Sequence, residues 1–443
     1  MKYGLTTQHT GKTLFLFALP TMVMMAFMAL YTMFAGFFVA NYISADALAG
    51  LNIVIPGAGI LASLAVWFGA GSSVVISRKL GKGRQQEARE DTTVIILLTI
   101  ALGVIITVVT QLFAEPILRF LGSTPRLRPY SLAYYRMTFY FTIPCLLQVL
   151  FQYLFVASGN PKLGLLCVVS GGISELILDY FLIVRWNLGV SGAALATGIG
   201  YTIPAVVGIL WFLFGKTTPL RMTIPRCRLK MLLDSLTDGA ANMIINLSGS
   251  VVTWLFNLTI LRYLGELGIA AATIVLYARF LFNSVLTGYA SGVAPVISFH
   301  HGKGDSQQVK NLFGISIKAI LLESLGVMIL CSFLCKPIAQ LFAAGDQELL
   351  QLAQIGILLF SLNYLFNGLN TFTNTLFSAL GNGKLSAIMA FLYTFVFLVA
   401  AITLLPQLGL GVSGIWLAIP AAELCNACLS VVLLKKYQKI YHY

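Results

Sequence analysis

Glu175 and Asp179 sit in an apolar stretch, Gly171 to Gly200, which reads GGISELILDYFLIVRWNLGVSGAALATGIG. Their spacing of four puts both carboxylates on one face of a helix, one turn apart. A charge inside a membrane helix costs roughly 2.5–3.5 kcal/mol on insertion scales, and such acids mark ion or substrate paths. Two like charges on one face repel, so one carries a proton or both share a cation. The spacing therefore points to a proton site, or to a Na⁺ site held by Glu175 and Asp179. The competing reading is an acid paired with a basic residue on a neighbouring helix.

The elements that must hold these acids are membrane spans. The chain has 443 residues, 58% hydrophobic and 10% charged, against about 25% charged in soluble domains. Twelve apolar segments, from 13–38 to 411–434, are each long enough for the ~30 Å hydrocarbon core. The predicted fold is an all-α integral membrane protein of twelve transmembrane helices in two pseudo-two-fold related six-helix bundles around a central cleft. The longest loop carries Lys216, Arg221, Arg226, Arg228 and Lys230. It divides the chain into an N-terminal bundle, 1–215, a cytoplasmic linker, 216–235, and a C-terminal bundle, 236–443.

A net charge of +13 raises nucleic acid as a partner, but the charges lie in short loops between apolar segments and set membrane orientation instead. The bias predicts both termini in the cytoplasm, with the arginines between helices 3 and 4, Arg119, Arg126 and Arg128, as the discordant group. The location expected is the plasma (inner) membrane, the partners are small molecules and membrane lipid, and the protein acts as a monomer. The histidines, His9, His300, His301 and His442, lie in loops or tails. This argues against a membrane-embedded enzyme, and no cofactor is expected beyond H⁺ or Na⁺.

The halves repeat. ISRKLGKG at 76–83 returns as ISFHHGKG at 297–304; SGNPKL at 158–163 returns as LGNGKL at 380–385; LGVSG at 188–192 returns at 410–414. Three islands in one order at nearly constant offset indicate duplication. Both halves hold an even number of spans, so the repeats are parallel and substrate belongs between them. The GKG loops lack the strand and trailing hydroxyl of a phosphate loop; they read as helix-ending turns.

Asn363, Asn367, Asn370 and Asn374 fall on one helical stripe. Gln148 and Gln152 lie opposite Asn370 and Asn374 by the repeat offset. Together with Tyr134, these form a predicted polar wall of a substrate cavity; the alternative is amide packing between helices. Pro20, Pro56, Pro144, Pro204, Pro295 and Pro420 interrupt helices, and Pro20 is the expected hinge for alternating access. Glu323 and Glu423 remain as lone membrane acids, each a secondary site or a residue at the lipid interface, the interface being the favoured reading.

The islands and the stretches Phe37–Pro56, Leu178–Thr197 and Phe256–Gly304 resemble the multidrug and toxic compound extrusion (MATE) transporters over nearly the whole chain. The resemblance implies export of organic cations in exchange for H⁺ or Na⁺. Many members carry a cation site built from an Asp on helix 1, an Asn and an Asp four apart on helix 5, and a Thr on helix 6. Asp179 and Thr197 match. The helix 1 acid falls at Ala35 and the helix 5 asparagine at Glu175, so this chain relocates one carboxylate. A lipid-linked precursor flippase of a related superfamily is the alternative, kept open by Arg279.

Overall fold

The computed structural model describes residues 5, 9–43, 45–121, 123, 125–215, 218–342, 347–408, 411–441 and 443. The side chains of 32–41, 45–49, 52, 56, 248–254, 257–258, 261, 266, 269–270 and 341–342 fall outside that description. Ala35 is among them. The described residues form helices and no strand. They are α1 (Gly11–Tyr42), α2 (Ala45–Gly81), α3 (Gln85–Leu112), α4 (Ala114–Phe120), α5 (Arg128–Tyr140), α6 (Thr142–Ala157), α7 (Pro161–Asp179) and α8 (Gly189–Phe214). After the longest loop come α9 (Leu229–Lys303), α10 (Ser306–Phe342), α11 (Gln347–Ser361), α12 (Tyr364–Ala379), α13 (Gly383–Phe391), α14 (Val399–Leu404) and α15 (Gly411–Tyr441). π-helical turns extend α7 through Tyr180–Arg185 and α13 through Leu392–Leu398.

Among the described residues, 9 helices are long and apolar enough to cross a membrane, or up to 11 when two bent pairs count as spans. One pair is α5 and α6, bent by 52°. Pro144 explains it: its ring clashes with the carbonyl four residues back, at Tyr140, where α5 ends. The other pair, α11 and α12, bends by 48° without a proline. There the Asn363 amide donates to the Phe360 carbonyl at 2.7 Å and replaces the lost helical bond. Helix α1 runs unbroken through Pro20.

Helix α9 is two spans. Gly239, near its start, and Gly302, near its end, both pack on α2, against Gly71 and Arg78. A straight helix at 1.5 Å per residue could not do this. The reversal is at Gly265, whose φ of 62° and ψ of −153° lie outside the helical region.

The repeated islands are the turns. Gly83 and Gly304 end α2 and α9, Gly159 and Gly381 follow α6 and α12, and Gly189 and Gly411 open α8 and α15. All six have positive φ between 51° and 82°, a region where a side chain is strained. Contacts between the halves are reciprocal in the same register. A Cβ on Gly81 would strike the Phe299 carbonyl, and one on Gly302 would strike that of Arg78. Likewise Gly71 meets Gly239, and Gly292 meets Ala18; both relations are offset by 221 residues. The halves thus cross backbone to backbone at the end that carries the glycine-lysine turns.

Gly81→Ala is expected to hold those ends apart. In a background without native cysteines, oxidative cross-linking of Val74→Cys to Ser298→Cys should fall several-fold. The two are joined here by a bond from Ser298 Oγ to the Val74 carbonyl of 2.7 Å. Unchanged cross-linking would show that the crossing tolerates a methyl group.

Candidate functional site

Two close crossings bring α7 against its neighbours. Gly172 faces the rings of Phe27 and Tyr31 on α1, and Gly171 faces the Gly200 carbonyl on α8. Glu175, one turn further along α7, is left between α1, α6 and α8. It is 3% exposed, and Asp179, the last residue of α7, is 2% exposed. The Thr197 hydroxyl donates to Glu175 Oε1 at 2.8 Å. Asp179 Oδ2 is buried with no hydrogen-bond partner. Among the described residues no ion pair engages either acid.

Tyr31, Gln148 and Tyr201 close around Glu175 in a crevice with too little space for a water-sized sphere. Tyr134, from α5, is half-buried, and its hydroxyl lies within electrostatic reach of both carboxylates. Gln152 is one turn beyond Gln148 and buried, with its amide nitrogen unpartnered. The structure thus gathers Glu175, Asp179, Thr197, Gln148 and Tyr134 in the first half.

The asparagine stripe lies in the second half, against α15. Asn367 Nδ2 donates to Glu423 Oε1 at 2.8 Å. Asn370 Nδ2 donates to Glu423 Oε2 at 2.6 Å and to the Glu423 carbonyl at 2.9 Å. Ser430 Oγ donates to Asn370 Oδ1 at 2.9 Å. Asn374 Oδ1 is buried and unpartnered. Glu423 is 1% exposed, so it does not sit at the lipid interface expected for it. The repeat offset could have found it: 222 residues before Glu423 stands Tyr201, which faces Glu175. Asn370→Leu strips Glu423 of two bonds and is expected to lower stability by about 1–3 kcal/mol. Asn363→Leu, whose amide serves only the Phe360 carbonyl, should cost less. Thermal unfolding in detergent compares them; equal losses would mean that the amides do not hold the acid.

A third group, the charges at the basic end, does more than anchor the chain. Arg78 of α2 donates to Asp238 Oδ2 of α9 at 2.9 Å and to the Ser378 carbonyl of α12 at 3.3 Å. Asp238 Oδ1 accepts from the Gly383 N–H at 3.1 Å. The Trp67 indole donates to the Leu236 carbonyl at 2.6 Å. Lys79 and Arg228 pair with Glu90 and Asp91 of α3. The basic end of the molecule is shut across the two halves. No group of three metal-binding side chains occurs among the described residues.

Related halves of apolar helices meet at one end, and the first of them buries an acid pair. The MatE family profile matches residues 20–181 and 233–403, and the chain belongs to that family. Its transporters are not enzymes. The multidrug export protein MepA of Staphylococcus aureus (strain MSSA476) is 24% identical over 434 residues, covering 96% of this chain and 94% of the relative. MepA of Staphylococcus saprophyticus is 23% identical, covering 95% and 93%. Among solved structures, the outward-facing conformation of a multidrug resistance MATE family transporter superposes with a TM-score of 0.93 at 19% identity, covering 98% of this chain and 97% of that one. A MOP superfamily transporter from Pyrococcus furiosus reaches 0.91 at 19% identity, covering 98% of both chains.

Proposed function

We propose that the protein exports organic cations in exchange for protons, with Glu175 and Asp179 as the coupling acids and Thr197 orienting Glu175. The observation that carries this reading is an acid pair buried in one half with one hydroxyl donor and, among the described residues, no cation partner. Only one hydroxyl donor and, among the described residues, no further carboxylate stand with the pair, a sparse shell for a Na⁺ ion and a sufficient one for a proton. The relatives named as multidrug export proteins support drug-like small molecules as substrates, and the acid pair favours cationic ones. Gln148, Gln152 and Tyr134 from the first half, and Asn363, Asn367, Asn370 and Asn374 from the second, shape the path between the halves.

The contacts at the basic end support alternating access as the mode of transport. The loop charges favour the cytoplasm for that end, which on this reading is the side held closed. Export requires the Arg78–Asp238 and Gly81–Gly302 contacts to part, with α1 flexing at Pro20, whose ring leaves the Leu16 carbonyl without its helical bond. The test is uptake of a fluorescent organic cation by proteoliposomes with each gradient imposed alone. Transport should follow a pH gradient and ignore a Na⁺ gradient; the reverse result would overturn the proton reading.

A further inference from the structure

Glu323 is a further acid of the second half, set inside a span. It is the eighteenth of 37 residues in α10, near the centre of a span. The lipid interface is its place by the sequence, yet both of its carboxylate oxygens are buried, and neither has a hydrogen-bond partner.

Other polar groups around it share that condition. Ser316 precedes Glu323 by seven residues on the same helix face. It is 0% exposed, and its hydroxyl has no hydrogen-bond partner. Tyr289, from the second arm of α9, is 1% exposed, and its hydroxyl is also unpartnered. That hydroxyl stands beside Ser316 and within electrostatic reach of Glu323. No cation acts on Glu323 from any described residue. Helix α12 meets this stretch at Gly368, against Ser324 and Ile320, and α1 meets α9 at Gly288 and Gly292 through Met22 and Ala18. None of these contacts brings an ionisable group. Lys318, on α10 itself, is exposed. Tyr289 is therefore the titratable group that faces the carboxyl.

We propose that Glu323 is a second proton-binding carboxyl, housed in the second half and served by the hydroxyls of Tyr289 and Ser316. A buried carboxylate without a cation or a donor is strongly disfavoured, so in this arrangement Glu323 holds its proton. The proton is released when the two hydroxyls turn to donate to the carboxylate, which needs a small shift between α9 and α10. That shift has a mechanical source. Tyr289 follows Gly288, which packs on Met22 of α1, two residues beyond Pro20. Movement of α1 about Pro20 thus reaches Tyr289 through a single residue. The transport consequence, one proton more per cycle than the first-half acids carry, rests on the proton-coupled reading above. The protonation itself does not.

Infrared difference spectra of the purified protein in lipid, recorded on an acid-to-base step, test the site directly. Glu323→Gln should remove one protonated-carboxyl band that Glu175→Gln and Asp179→Asn leave in place. Tyr289→Phe should leave that band in place at low pH and move its disappearance to higher pH, because the carboxylate loses the donor that receives it on release. Spectra of Glu323→Gln identical to the unsubstituted protein would overturn the proposal. If Glu323→Gln does not fold, Tyr289→Phe decides alone: bands that titrate at unchanged pH overturn it. In proteoliposomes, the proton-to-substrate ratio from reversal potentials should fall by one in Glu323→Gln, and an unchanged ratio would also count against it. A protein driven by Na⁺ alone would defeat the proposed coupling while leaving the infrared result to stand or fall separately.

Discussion

Asp179→Asn should abolish gradient-driven export while leaving a folded protein. Asp179 Oδ2 has no hydrogen-bond partner to lose, and an amide of the same shape removes a buried charge. What disappears is the proton-binding oxygen. The initial rate of coupled uptake should drop to that of protein-free liposomes, because an amide cannot take up and release the proton. Binding of the organic cation, followed by fluorescence in detergent, should survive to a larger degree, because Glu175 keeps its place and its bond to Thr197. Undiminished efflux under a pH gradient would show that Asp179 is not a coupling acid.

The second large effect is expected at the other end of the molecule. Arg78→Ala leaves Asp238, 4% exposed at its side chain, facing only the Gly383 N–H. Removing one partner of a fully buried pair costs about 3–5 kcal/mol. Arg78 keeps some exposure, so roughly 2–4 kcal/mol is expected, and only in the closed arrangement. The open-to-closed ratio should rise by at least about tenfold. Ser235→Cys, buried where α9 meets Gly71, reports this as faster labelling by a thiol reagent from the basic side. Asp238→Asn added to Arg78→Ala should restore much of the closure, since the stranded charge is then gone. If labelling does not change in Arg78→Ala, the glycine crossings alone keep that end shut.

Much of this was legible in the sequence because it is local. Span lengths follow from apolar runs, and the three repeated islands are turns whose glycines need positive φ. Spacing alone placed Glu175 and Asp179 on one helix face. What could not be read is what joins distant positions. Arg78 and Asp238 are 160 residues apart, and the loop charges looked like anchors until their partners were in view. Glu423 looked like a stray acid because the asparagines that hold it belong to another helix. The bend before α12 has no proline to announce it; it depends on one amide of Asn363 folding back. Pro144 did announce the bend before α6.

The reversal at Gly265 also bears on how the halves are held. Leu229 to Lys303 doubles back at a residue outside helical geometry, so its two arms form a hairpin with almost no slack at the bend. Arm one meets α2 at Gly71 and arm two meets it at Gly302. One hairpin of the second half therefore clasps a single helix of the first at two points, as tongs hold a rod, and neither grip can slide without dragging the other.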